Sequence, residues 1–448
     1  MDTDGTRFLI RLAPFADRPA TSAERLLDWA PGSRAATIEF GADFFTGWQP
    51  TATGGDLLRF ASGAYCVDRV VLRKHSRDAW TRDLLMEAPV TDPQAWARAP
   101  WRDALRFLTG DRWSFDLHPA NSAQPIPGVG LPVDAVSLFS GGLDSLCGVI
   151  DLLENNPGLR LLLVAHHEGG KASTAQRVLH DGLVAAYGAE RVVLRRMFCR
   201  PAPPNPGQTR PLPDIHERTT RSRSLLFIAG ALAAASAGGN HVPVYVPENG
   251  WIGLNVPLTR ARTGSASTRT THPHFLDLLT VACRTIGINN PITNPYRLYT
   301  KGEMLTRCSN PELLAYLAPA SVSCAHPETA RWRDRLQGNC GYCLPCLVRR
   351  AALATIKQDR ADEYAWDVLT ERDLLNPTER TCADLRATIH GVNPYRDELD
   401  IIRNAPLPAG EHRAHLDLWR RGAEEMRSWL ANATGPVAQF TATAWRRP

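Results

Sequence analysis

The sequence predicts an α/β protein built on a doubly wound parallel sheet, with a β-rich α+β unit before it and a helical extension after it. Between residues 135 and 248, apolar strand-like runs alternate with stretches of helical length, which is the pattern of parallel sheets with crossover helices. A proline- and glycine-rich stretch, 121–132, precedes this region, and the sequence beyond Arg350 has mainly helical spacing. The expected units are residues 1–130, 131–350 and 351–448.

The first unit combines short strand-like runs with one helical stretch. Residues 92–110 have helical spacing and end at a glycine, as helices commonly do. We find no catalytic constellation in this unit. Its strands are expected at residues 7–12, 64–73, 82–90 and 111–119.

The second unit is expected to contain parallel strands joined by helices. Residues 200–213 contain six prolines and therefore predict a loop, because proline fits neither a helix interior nor a central strand. We place this loop over the carboxyl edge of the sheet, where doubly wound folds bind ligands. The strands are expected at 135–139, 159–167, 191–198 and 241–248, with helices from Asp144, from Ser173 and across 215–237.

Composition favours an ordinary globular protein of the cytoplasm. Of the 448 residues, 44% are hydrophobic and 22% are charged, as in folded domains. The net charge of +5 is too small over this length for a dedicated nucleic-acid binder, so no nucleic-acid partner is expected. The N-terminus lacks the apolar core of a secretory signal. The longest apolar run, 224–237, is shorter than the roughly 20 residues of a membrane span, so no membrane anchor is expected.

The motif Ser-Gly-Gly-Leu-Asp-Ser at 140–145 lies directly between a predicted strand and a predicted helix. Adjacent glycines let the backbone approach phosphate oxygens, while the helix N-terminus and the serine hydroxyls supply hydrogen-bond donors. Asp144 would repel phosphates unless it held a cation, which indicates Mg2+. The alternative is an ordinary turn in which Asp144 or Ser145 caps the helix. The expected binding residues are Leu138, Phe139, Ser140, Gly141, Gly142, Leu143, Asp144, Ser145 and Leu146.

Three of the ten cysteines form a CxxCxxC arrangement, and a fourth precedes them with fifteen residues in between. Four thiolates make a closed tetrahedral zinc site, which stabilises a fold and does not activate water. An iron–sulfur cluster accepts the same ligands, and four unrelated buried thiols are the other alternative. We expect Zn2+, with Cys324, Cys340, Cys343 and Cys346 as ligands.

The motif at 140–145 resembles the phosphate loop of the PP-loop ATP pyrophosphatases, the adenine nucleotide alpha hydrolase-like family. It is not a Walker loop, because GxxxxGK[ST] is missing from the motif. The resemblance implies that ATP is cleaved between its α and β phosphates to form an adenylate. It also implies that the serines and glycines of the motif hold the pyrophosphate portion and that Asp144 positions Mg2+.

Together with the cysteines, this motif resembles the 7-cyano-7-deazaguanine synthase (QueC) family over about residues 134–350. The resemblance implies adenylation of the carboxylate of 7-carboxy-7-deazaguanine, attack by ammonia, and a second ATP-dependent round that makes the nitrile. Arg223 is a candidate contact to ATP or substrate, and Lys301 a candidate to neutralise phosphate charge. A solvated arginine at a helix start and a surface lysine are the alternatives. The implied catalytic residues are Asp144, Ser145 and Lys301.

Two turns depart from the family's pattern and predict an altered substrate pocket. HHEGG at 166–170 replaces a tyrosine-glycine-glutamine turn, and ENG at 248–250 stands where an asparagine-rich turn is expected. Packed or solvated histidines are the alternative interpretation of the first turn. Residues 267–279 occupy the place of the stretch that reads the deazaguanine ring. The candidate substrate contacts are His167, Glu248, Asn249 and His272.

The 130-residue leader and the stretch 248–279 resemble the QatC family, the QueC-like proteins of bacterial Qat antiphage defence systems. This resemblance extends over most of the chain. It implies other Qat proteins as partners, and the acceptor of the activated carboxylate is then ammonia or an amine of a partner protein. Two other functions stay open: a non-catalytic sensor that binds ATP or a deazapurine and scaffolds its partners, and a PP-loop enzyme that modifies tRNA.

Overall fold

The computed structural model describes residues 7–13, 24–120, 128–206, 212, 216–217, 221–259, 269–328, 338–370, 375–376, 383–402 and 404–446. Its strands are β1 (Arg7–Ala13), β2 (Glu24–Asp28), β3 (Ile38–Phe40), β4 (Asp83–Val90), β5 (Arg112–Pro119), β6 (Ala135–Leu138), β7 (Leu161–His167), β8 (Val192–Pro201), β9 (Val244–Tyr245) and β10 (Ile292–Thr293). Its helices are α1 (Ala52–Val70), α2 (Pro93–Arg98), α3 (Trp101–Thr109), α4 (Leu143–Asn155), α5 (Gly170–Tyr187), α6 (Arg223–Gly238), α7 (Gly250–Gly253), α8 (Pro273–Thr285), α9 (Lys301–Thr306), α10 (Pro311–Leu317), α11 (Leu344–Thr355), α12 (Ala383–Gly391), α13 (Leu399–Ile402), α14 (His412–Leu430) and α15 (Gly435–Ala444).

The smaller sheet has four parallel strands in the order β2-β1-β4-β5. The helical stretch at 92–110 is confirmed but divided into α2 and α3. Pro100 lies at the break, and its missing N–H prevents one continuous helix. The strands expected at 7–12, 82–90 and 111–119 are confirmed as β1, β4 and β5.

The stretch 64–73 is not a strand, so this expectation was wrong. Residues 52–70 form α1, which begins where the side chain of Thr51 accepts a hydrogen bond from the Gly54 amide. From Leu57 to Val70, only Arg59 and Arg69 are not buried. A helix that is apolar on nearly all sides lacks the polar face by which helical periodicity is recognised.

The larger sheet has six strands in the order β10-β9-β6-β7-β8-β3, and only β3 runs antiparallel to its neighbour. The protein is therefore a mixed α/β fold with a parallel-dominated sheet. The chain passes from β6 to β7 and β8 on one side and then returns to β9 on the other. In such sheets the crevice beyond the carboxyl ends at this reversal is the usual place for a ligand.

Apolar cores cover both faces of the larger sheet. Successive side chains of a strand point to opposite faces, so alternate residues belong to different cores. Leu161 and Leu163 of β7 pack with residues of α4 and α5. Leu162 and Val164 face the opposite core, which contains α6. This second core also includes α1 and strands of the smaller sheet, so residues before and after 130 share one apolar interior. The division of the chain into units at residues 130 and 350 stays a prediction.

The other elements expected in the central region are present with shifted ends. β9 covers only two residues, because Pro243 and Pro247 flank it and cannot donate to a sheet. α6 begins at Arg223, and part of the expected helix 215–237 lies outside the described residues. The same holds for 121–127 of the predicted linker and for 207–211 of the proline-rich loop.

The C-terminal region is mainly helical, as expected. α11, α12 and α14 pack around a third apolar cluster, into which Trp251 of α7 inserts by stacking on Trp419, with ring centroids 5.1 Å apart. The stacking of Trp251 on Trp419 therefore packs the C-terminal helix α14 against the segment that follows β9. Within the ranges described above, no helix is both long and apolar enough to cross a membrane.

Candidate functional site

The glycine-serine loop connects β6 to α4 at the reversal of the strand order. Gly141 has a φ of +81°, which favours glycine, and a Cβ there would lie 3.1 Å from Cγ of Gln176, a tight contact. Gly142 is the N-cap residue of α4. Asp144 and Ser145 therefore lie inside the helix, and the alternative in which one of them caps it is wrong.

The hydroxyl groups of the two serines of the loop are neighbours, and Ser145 is buried. Their hydroxyl oxygens are 3.2 Å apart, and the Gly142 amide donates to Oγ of Ser140 over 3.2 Å. Ser145 donates to the carbonyl of Gly142 over 2.9 Å. The amide of Gln176 donates to the Ser140 carbonyl over 3.3 Å, which fixes the loop from α5. The loop is thus a preformed turn with hydroxyl groups at a helix N-terminus, which suits an anion.

Asp144 meets two other candidate residues from distant parts of the sequence. Nζ of Lys301 lies 2.8 Å from Oδ1 of Asp144, and both side chains are largely buried, with 7% and 13% exposed. The backbone and side-chain amides of Asn249 donate to Oδ2 of Asp144 over 3.1 and 2.8 Å. Residues predicted separately from α4, α9 and the turn after β9 are therefore one polar cluster at the sheet edge.

Glu248 lies beside this cluster. Its carboxylate accepts a hydrogen bond from the hydroxyl of Thr271, and the side chain of Asn294 donates to its backbone carbonyl over 2.9 Å. Burial raises the pKa of Glu248 to about 7, and the charge of Asp144 acts in the same direction. A carboxyl group with a pKa near neutrality can hold or release a proton at physiological pH.

The histidine turn after β7 divides into a buried and a half-buried residue. His166 is buried; Nε of Arg223 donates to its Nδ1 over 2.9 Å, and its Nε2 lies 3.0 Å from the carbonyl of Cys199. Burial lowers the pKa of His166 well below its ordinary value, so the ring is neutral. His167 is half-buried against Phe198, and burial lowers its pKa as well. The side chain of Arg223 is thus fixed by its hydrogen bond to the packed His166, a partner that the sequence analysis did not predict.

His272 begins α8. Its Nδ1 accepts a hydrogen bond from the amide of His274 over 3.2 Å, and its ring packs against Phe107. Burial lowers the pKa of His272 to about 3, so it is neutral at physiological pH. In the structure the side chain serves as a helix cap next to Thr271, the partner of Glu248.

Helix α1 reaches the same sheet edge, which we did not anticipate. The hydroxyl of Tyr65 and the guanidinium of Arg69, which lies 2.9 Å away, both contact the carboxylate of Glu168. The ring of Tyr65 packs edge-on against His166. Two residues of α1, in the first 130 residues of the chain, therefore hydrogen-bond to the histidine turn at 166–170. No local sequence pattern signals this contact.

The predicted cysteines form one cluster in which all four sulfurs lie within 4.8 Å of one another. Two sulfur pairs are 3.9 Å apart, close to the roughly 3.8 Å that tetrahedral Zn–S bonds of about 2.3 Å require. Backbone amides donate to three of the sulfurs over 3.3 to 3.4 Å, as is favourable for thiolates. The donor set therefore fits a zinc ion and confirms a four-cysteine cluster. Its members are Cys324, Cys340, Cys343 and Cys346.

The segment just before the first cysteine touches the glycine-serine loop. The Val322 amide donates to the Gly141 carbonyl over 2.9 Å, and Oγ of Ser323 accepts from the Leu143 amide over 3.1 Å. The Ser323 amide in turn donates to the side chain of Asn339, the residue before the second cysteine, over 3.1 Å. The cysteine cluster and the loop are thus neighbours joined by short hydrogen-bonded segments.

Comparison with known proteins gives no family assignment. No protein-family model matches this chain, and no curated protein matches it.

Proposed function

We propose that the protein is an ATP-dependent, AMP-forming carbon–nitrogen ligase of the QueC-like type that acts on a 7-deazaguanine carboxylate. The observation that carries the proposal is the cluster of Asp144, Lys301 and Asn249 beside the glycine-serine loop, at the reversal of the strand order. This edge of the sheet suits a nucleoside triphosphate, because it combines an anion-binding turn with a buried carboxylate and a buried ammonium.

In this proposal the loop binds the phosphates of ATP. Ser140 offers a hydroxyl donor, the N-terminus of α4 offers backbone amides, and Ser145 would offer a second hydroxyl donor by turning away from the Gly142 carbonyl. Asp144 would hold Mg2+ together with phosphate oxygens, a donor set that this ion commonly takes in nucleotide sites. Bound Mg2+ supplies positive charge at the phosphates, and Lys301 supplies a second positive charge from the start of α9.

The substrate carboxylate would attack the α-phosphorus, forming a carboxyl–phosphorus bond while the bond to pyrophosphate breaks. An amine would then attack the acyl carbon and displace AMP, losing one proton. Glu248 is a candidate to accept that proton, because it lies beside the cluster and burial raises its pKa to about 7. The four cysteines would hold zinc as a structural ion, since all four positions are filled by sulfur.

The amine that accepts the acyl group would be ammonia or an amine of a partner protein from a Qat defence system in the cytoplasm. Support for a changed acceptor comes from α1, which holds the histidine turn through Glu168. This element belongs to the leader, which the QueC family does not have.

The test is release of AMP and pyrophosphate from Mg-ATP and 7-carboxy-7-deazaguanine, with ammonium in one arm and neighbouring Qat proteins in the other. We expect substrate-dependent AMP, with an amide or nitrile product in the first arm or a deazaguanine mass on a protein in the second. Asp144→Asn should abolish AMP release. Asp134→Asn, which removes a half-exposed partner of Arg160, is the matched control and should retain it.

Failure to release AMP in both arms would contradict the ligase. ATP binding without turnover in that case would favour the sensor. AMP release that depends on added tRNA and not on the deazaguanine would favour the tRNA-modifying enzyme.

A further inference from the structure

We propose that Cys147, Asp151 and Cys308 form a second metal site, for a thiophilic divalent ion such as Zn2+. One ligand atom from each residue lies within 4.8 Å of the other two. The site is separate from the four-cysteine cluster and shares no residue with it. The inference does not depend on the proposed ligase activity.

Local structure explains why the three side chains meet. Cys147 and Asp151 are four residues apart on α4, so they lie on one face of the helix. Sγ of Cys147 is 4.0 Å from Oδ2 of Asp151. Cys308 follows α9, which packs against α4 and brings the second sulfur to the same place. Two ligands on one helical turn with a third from another segment is a common way to bind zinc.

Surrounding groups orient the carboxylate of Asp151. The Tyr296 hydroxyl donates to its Oδ2, and the Ser309 amide donates to its Oδ1 over 2.7 Å. Hydrogen bonds of this kind position metal ligands in known sites. The carbonyl of Met304, 3.5 Å from Sγ of Cys147, is a further oxygen near the ion.

The donor set selects the class of ion. Two sulfurs and one carboxylate oxygen favour Zn2+ or Cd2+ over Mg2+, which prefers oxygen ligands alone. Tetrahedral zinc requires sulfur–oxygen separations of roughly 3.5 Å, so Cys147 and Asp151 need to approach only slightly from the present 4.0 Å. The sulfur of Cys308 lies within 4.8 Å of both ligand atoms. Both thiols are buried, with 0% of Cys147 and 7% of Cys308 exposed, and binding would release their protons.

The metal would join two helices that begin at the candidate active site. Asp144 lies one turn before Cys147 on α4, and Lys301 is the first residue of α9, whose end leads to Cys308. An ion at this place would fix the distance between the two helices that carry the Asp144–Lys301 pair.

The experiment counts zinc ions in the full-length protein, purified under reducing conditions with zinc and desalted, by native mass spectrometry. We expect two ions per chain for the wild type and one for Cys308→Ser. Cys283→Ser is the matched control, because Cys283 is buried in α8 with no role in either cluster, and it should retain two. Cadmium exchange should give a thiolate charge-transfer band about one third weaker in Cys308→Ser, since two of six sulfurs belong to this site and the site is lost.

A count of one zinc ion per wild-type chain would by itself overturn the proposal. Two ions retained by Cys308→Ser and by Asp151→Asn would overturn it as well. A wild-type chain purified without reductant that holds a single zinc and yields a disulfide-linked peptide pair containing Cys147 and Cys308 would show that these two thiols form a disulfide instead.

Discussion

The ammonium of Lys301 lies 2.8 Å from the carboxylate of Asp144, and each residue is in the first turn of its helix. A cation at a helix N-terminus is unfavourable, because the macrodipole places positive charge there. The carboxylate of Asp144 offsets this repulsion. A residue that is locally unfavourable and lies in a candidate binding crevice is typical of residues retained for function.

Lys301→Met should lower the free energy of unfolding by about 3 kcal/mol, because it leaves Asp144 largely buried without a counter-charge. The double variant Asp144→Asn, Lys301→Met should recover part of this loss, since no unpaired charge remains. Neither variant should release AMP. Urea unfolding and AMP assays check both statements, and an active double variant would remove the pair from the mechanism.

Gly141→Ala should destabilise the protein by about 1–2 kcal/mol, because φ is +81° there and an added Cβ would press on Gln176. It should also abolish ATP binding, as measured by calorimetry. Gly158→Ala is the control, since a Cβ at that glycine meets nothing within 4 Å. Equal ATP affinity in the two variants would show that the loop does not bind the nucleotide.

Removal of zinc from the four-cysteine cluster should loosen the glycine-serine loop. Val322 and Ser323 contact the loop directly and lie next to Cys324. Hydrogen exchange should therefore accelerate at residues 140–146 after chelation, while the smaller sheet keeps its protection. Ser323→Ala should accelerate exchange at Leu143 even with zinc bound. Unchanged loop exchange after complete zinc loss would disprove the coupling.

Glu248 should make stability depend on pH in a specific direction. Its pKa in the folded protein is about 7, above the ordinary 4.5. At this residue the folded state therefore binds more protons than the unfolded state between these values, so the contribution of Glu248 to the free energy of unfolding falls as pH rises from about 4.5 to 7. Glu248→Gln keeps an acceptor for Thr271 and should remove this contribution, so the variant should differ from the wild type by an amount that changes with pH across this range. Unfolding curves at several pH values measure the difference, and parallel pH profiles would contradict it.

The two local motifs could be predicted because a few neighbouring residues fix their geometry. SGGLDS and CxxCxxC need only a turn and a helix start to bring their groups together. The contact of Glu168 with Tyr65 and Arg69 could not be predicted, because it spans 103 and 99 positions and no periodicity signals it. α1 was mistaken in part for a strand for a related reason: burial on nearly all sides removes the polar face that reveals a helix.

The core shared by α1 and α6 has a consequence for synthesis on the ribosome. Helix α1 ends at Val70, whereas α6, which packs against it, begins at Arg223. At common translation rates α6 emerges on the order of ten seconds later. During this interval Leu57, Ala61 and Ala64 lack the α6 side chains that complete their core in the finished protein. The core around α1 is therefore completed only when a segment from the middle of the chain has been synthesised, and until then the nascent chain exposes apolar surface that α6 later covers.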